Sequence, residues 1–123
     1  MVEIGQVAKF TDFLSQKKSA EAVYFLNEII EKGSDLQQFS RALVNYLRQG
    51  LILKISGTET ANPIVTGLTQ EEFQKLKEQT NNFKEEEIRK ILNLFIEAEN
   101  KMKYSPIPQL PLELAIIESC GIA

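Results

Sequence analysis

The stretch that most constrains this chain runs from Phe83 to Cys120, FKEEEIRKILNLFIEAENKMKYSPIPQLPLELAIIESC. Its spacing predicts a long helix, a proline-punctuated turn and a second, apolar helix. In the first helix Ile88, Leu92, Phe95 and Met102 keep to one face, with Ala98 and Glu99 in the turn between them. Ile91, Leu94 and Ile96 widen that stripe until the middle of the helix is apolar almost all round. Such a helix is central in its bundle, or it is covered by a partner as well as by its own core. Nothing in it is a nucleophile, a metal cluster or a phosphate loop. What it offers is a surface for packing.

The preceding chain supplies elements for that helix to pack on. Val7, Phe10, Phe13 and Leu14 share a face in a first helix spanning roughly Val2 to Ser15. The run SQKKS breaks the pattern, and Ser19 is a candidate N-cap for a second helix from Ala20 to Lys32. Gly33 stands where helices commonly end in a left-handed residue. Ser34 followed by Gln37 fits a capping box for a third helix, and Asp35 puts negative charge at its positive end. The apolar positions Leu36, Phe39, Leu43, Tyr46 and Leu47 run on to Ile55. Gly50 lies in this stripe and is either a weak point or a close crossing with another helix.

Residues Ser56 to Leu68, SGTETANPIVTGL, form the longest expected loop, and their composition favours mobility. Thr69 with Glu72 makes a second capping box, opening a helix through Phe73 and Leu76. The central helix begins near Lys84, and Glu85, Glu86 and Glu87 fall in its first turn, where the helix dipole favours them. It must end after Lys103, because Pro106 and Pro108 disfavour continuation. Pro111 is tolerated only in a first turn, so the last helix starts near Gln109 or Leu110. The fold class expected is all-α, a single bundle of about five or six helices.

At 123 residues the chain suits one domain that needs no disulfides to build a core. Its one cysteine cannot form an internal disulfide, which suits a reducing cytosol. No apolar run approaches the roughly 20 residues of a membrane span, and the first residues lack a signal-peptide pattern. A cytoplasmic protein is the expectation. Formal net charge is −3, so no global field attracts nucleic acid or an anionic membrane. Lys101, Lys103 and Tyr104, like Lys17 and Lys18, are small basic groups in a chain with more acids than bases. No sequence-specific nucleic-acid binding is expected of them.

Enzyme readings fail on inventory. Histidine is absent, which removes the commonest general base and a common zinc ligand. Cys120, near the end of an apolar helix, reads as a small buried hydrophobe rather than a nucleophile. None of the six glycines is followed by lysine, so the phosphate-cradling loop is missing and no nucleotide binding is expected. The three glutamates at the start of the central helix read as a solvated, dipole-matched face rather than a metal site. No catalytic, cofactor-binding or metal-ligating residue is assigned.

The segment AENKMKYSPIPQLPLELAII resembles the closing helices of the third domain of the bacterial DNA polymerase III gamma/tau subunit. The earlier block AVYFLNEIIEKGSDLQQFSRALVNYLRQGLILK is similar to the helices that precede them. Ala98-Glu99, Lys103-Tyr104-Ser105 before the prolines, Leu112-Glu113-Leu114-Ala115 and the Gly33-Ser34-Asp35 junction carry the resemblance. It implies a collar-like oligomerisation domain of the clamp loader that serves DNA replication, with gamma/tau, delta and delta-prime subunits as partners. Self-association is also open. ATP and magnesium would belong to two ATPase domains of the family that have no counterpart in these residues. The chain would then be an excised domain or a stand-alone relative.

Two other readings stay open at this point: a helical adaptor holding a peptide between helices, or the collar of a related clamp-loader-like ATPase. For the collar, the candidate interface residues are Ile91, Leu94 and Ile96 on the central helix and Leu114 and Ile117 on the last. The alternative is that all five are simply core.

Overall fold

The computed structural model describes residues 3–57 and 67–121, and among these the regular elements are six helices. They are α1 (Ile4–Ser15), α2 (Ser19–Glu31), α3 (Leu36–Ser56), α4 (Gln70–Thr80), α5 (Glu85–Met102) and α6 (Leu110–Cys120). The all-α bundle is the one the periodicity predicts. The mobility expected of the loop after α3 concerns residues 58–66, which lie outside the described residues.

Hydrogen-bonding chemistry sets the junctions. At the end of α2 Gly33 adopts φ +90°. The Ser34 N–H donates to the Ile29 carbonyl at 3.0 Å and the Gly33 N–H to Ile30 at 3.0 Å, the paired closure of a left-handed C-terminus. The same closure ends α1, where the Lys18 N–H reaches Phe13 at 2.9 Å and the Lys17 N–H reaches Leu14 at 3.2 Å. Here the left-handed residue is Lys17 at φ 60°, at a cost of about 1–2 kcal/mol that glycine would not incur. Its ammonium ion-pairs with Glu87 at the start of α5, which ties this turn to the central helix.

Two caps differ from the sequence reading. Ser19 is the first residue of α2 rather than its cap, and Lys18 before it makes no side-chain capping bond. The cap of α3 is Asp35, not Ser34: its Oδ1 accepts from Gln37 N–H at 2.9 Å and Gln38 N–H at 3.1 Å. Ser34 closes the previous helix, so Asp35 is the residue with extended backbone ahead of α3. The Thr69–Glu72 box forms as expected, with Glu72 N–H on Thr69 Oγ1 at 3.1 Å and Thr69 N–H on Glu72 Oε1 at 2.9 Å. Glu85 to Glu87 occupy the first turn of α5, and Pro111 lies in the first turn of α6.

Packing then arranges the helices. α5 lies against α3 and α6, while α1 touches α2, α3, α4 and α6. Phe10 of α1 stands edge-on to Phe39 of α3 at 5.3 Å and to Phe95 of α5 at 6.0 Å, all three buried. The buried face of α5 is Ile88, Ile91, Phe95, Ala98 and Met102. Ile91 thus belongs to the core, whereas Leu92 is only half-buried.

Gly50 marks a close helix crossing. A Cβ built there would lie 3.2 Å from Thr80 Cγ2 and 3.3 Å from Leu76 Cδ1. In an open helix, replacing glycine helps by about 1 kcal/mol. Here a large side chain has no room, so Gly50→Leu is expected to destabilise the protein by about 1–3 kcal/mol in urea unfolding.

Candidate subunit interface

The composition of α6, LPLELAIIESC, leaves it with more apolar side chains than one core-facing stripe can hold. Leu112, Ala115, Ile116 and Ser119 turn inward and are buried. At roughly 100° per residue, Leu110, Leu114 and Ile117 recur at i, i+4 and i+7 and share the outer side within a sector of roughly 60°. Leu114 is 52% exposed and Ile117 58% exposed. Exposed Ile107 and Tyr104, in the turn before α6, extend the surface.

The neighbouring helix completes it. Between α5 and α6 runs a shallow groove of about 100 Å³ lined by Leu94, Ala98, Pro111, Leu114 and Ala115. Glu97, Lys101 and Glu118 line it as well, so charges of both signs border apolar ground. Past the end of α5 a broader depression of about 540 Å³ holds Tyr104, Leu110, Pro111 and Leu114. Contiguous exposed apolar area rimmed by charge is the form an interaction surface takes.

The structure separates the five candidate residues. Leu94 lines the groove half-buried, and Leu114 and Ile117 stand on the outer face of α6. Ile91 is fully buried at 0% exposure and presents nothing to a partner, a correction to its candidacy. Its place follows from packing: α3 and α6 both lie on α5, and the wide sector they cover includes Ile91. Ile96 is 39% exposed, but two positions from Leu94 it points roughly 160° away and cannot share the same patch. Leu110 and Ile107 were not singled out by sequence. The i, i+4, i+7 spacing of Leu110, Leu114 and Ile117 was the available signal, masked by the apolar residues between them.

A second, polar surface lies where α1, α3 and α4 meet. The Tyr46 hydroxyl donates to Gln79 Oε1, and Gln79 Nε2 donates to the Ala8 carbonyl at 2.7 Å and to Asp12 Oδ1 at 2.9 Å. Lys75 Nζ pairs with Asp12 Oδ2 at 2.9 Å. Above this network opens a cleft of about 580 Å³, lined among others by Ile4, Ala8, Asp12, Tyr46, Glu71 and Glu72. Burial raises the Tyr46 phenol well above its ordinary pKa, and the charges of Asp12 and Glu72 add to the shift. Neither surface has the makings of catalysis. Burial also pushes the Cys120 thiol up, away from a reactive thiolate. No group of three or more metal-ligating side chains occurs among the described residues.

The family model for DNA polymerase III subunits gamma and tau domain III matches residues 1–123. No curated protein matches the chain. Among solved structures, the Bacillus subtilis DNA clamp loader delta protein (YqeN) is similar at a TM-score of 0.76 and 17% identity. The match covers 97% of this chain and 37% of that one, so the chain spans little more than a third of that protein.

Proposed function

Because the chain belongs to the family of DNA polymerase III gamma and tau domain III, we propose that it works as a clamp-loader collar, joining subunits edge to edge through the outer face of α6. Its partners on this reading are gamma/tau, delta and delta-prime subunits, and it works in the cytoplasm during DNA replication. The ATP and magnesium chemistry of clamp loading lies with ATPase domains, for which these residues hold no phosphate loop. The domain contributes geometry rather than turnover: it sets which subunits are neighbours.

The observation that carries this reading is the exposed stripe Leu110, Leu114 and Ile117, continued by Leu94 across the groove. Fully burying a leucine or isoleucine is worth about 1.5–3 kcal/mol, and the bundle leaves that gain unused at Leu114 and Ile117. A subunit docking there would collect it. Leu114→Glu and Ile117→Glu, made separately, are expected to leave the circular dichroism and melting temperature close to wild type. Each should weaken association with clamp-loader subunits by about 2 kcal/mol or more, roughly thirtyfold. Undiminished binding by both variants would remove α6 as the contact.

A further inference from the structure

We propose that the cleft between α1, α3 and α4 receives the basic end of α5 and the following turn from a second copy of this chain. The inference rests on the collar reading, because a head-to-tail contact needs two unlike surfaces on each subunit. The α6 flank supplies one of them. The cleft supplies a concave counterpart on another flank: α4 packs on α1 and α3, whereas α6 packs on α5, α2 and α1.

The charges on the two surfaces are complementary. Around the cleft, Asp12 is neutralised by Lys75 at 2.9 Å, and the Lys9 ammonium is drawn over the Phe25 ring at 5.3 Å. Glu71 and Glu72 are left without an ion-pair partner among the described residues. The Thr69 N–H bound by Glu72 holds that carboxylate in place but does not cancel its charge. The negative potential reaches inward, since Glu72 and Asp12 both act on the Tyr46 hydroxyl. Ile4 and Ala8 give the same cleft apolar ground.

The end of α5 is the matching shape. Lys101 and Lys103 are exposed and have no ion-pair partner among the described residues. Beside them stand Tyr104, 86% exposed, and exposed Ile107. Lysines flanking an aromatic and an aliphatic tip suit a cleft with a carboxylate rim and apolar walls. Lys101 and Tyr104 also share the depression with Leu110 and Leu114, so one neighbour would engage the α5 end and the α6 stripe together. The two surfaces lie on different flanks, and copies would therefore link head to tail.

Charge reversal tests the pairing. Glu71→Lys and Lys103→Glu alter exposed side chains, and circular dichroism should show both variants folded. In sedimentation velocity at low salt the wild-type chain should self-associate, and each variant alone should do so about fivefold or more weakly. An equimolar mixture of the two should recover association, because each reversed cleft meets a reversed tip. If Leu114→Glu abolishes association while both reversals associate like wild type, or while their mixture fails to recover, the cleft pairing is overturned and the α6 contact stands. A wild-type chain that stays monomeric also overturns the pairing, and binding to clamp-loader partners then decides the collar reading separately.

Discussion

Phe95→Ala is expected to lower the free energy of unfolding by about 3–5 kcal/mol, enough to leave a domain of ordinary stability marginal. Phe95 is fully buried in α5 and meets the edge of Phe10, which in turn meets Phe39 of α3. The substitution removes the ring that joins the central helix to α1, and the cavity left cannot collapse without moving both helices. Phe95→Leu keeps most of the volume and should cost about half as much or less. Urea unfolding with an unchanged denaturant slope is the measurement. A loss below about 1 kcal/mol for Phe95→Ala would mean that α5 is not packed as described.

Gln79→Leu is expected to cost about 2–4 kcal/mol even though it replaces a polar side chain with an apolar one of similar size. Gln79 is buried and holds α1, α3 and α4 together through Ala8, Asp12 and Tyr46. Leucine would leave the buried Tyr46 hydroxyl without its acceptor, an unmade bond that costs more than the intact one contributes. Tyr46→Phe in the same chain removes the orphaned hydroxyl. The double variant should therefore lose less stability than the two single losses added, by about 1 kcal/mol or more. Strict additivity would show that the hydroxyl and the amide are not coupled.

Much of the fold is legible in the sequence where the cause is local. Thr69 and Glu72 bond reciprocally because a helix start needs both, and Gly33 takes φ +90° because the α2 closure demands it. Local cues failed where neighbouring residues competed for one task, as when Ser34 and Asp35 both offered a cap to α3. Gly50 left two readings, and only the position of α4 decides for the close crossing. The phase of α5 was harder. A helix apolar almost all round does not say which side faces in, and α3 and α6 together draw Ile91 into the core.

The surfaces follow the same division. Leu114 and Ile117 could be picked out because α6 has more apolar residues than a single face needs. Ile96 could not be told from Leu94, since which side of α5 borders α6 is a tertiary fact. The Tyr46–Gln79–Asp12 network left no trace in the sequence: its members come from three helices and match no local pattern.

Side-chain footprinting by hydroxyl radicals, comparing the free chain with its assembly with clamp-loader subunits, most directly tests whether the outer face of α6 is the subunit contact. Leu110, Leu114 and Ile117 are expected to label readily in the free chain and several-fold more slowly in the assembly, with Tyr24 on the outer side of α2 unchanged. Equal labelling of Leu114 and Ile117 in the free and assembled states would contradict a collar joined through α6.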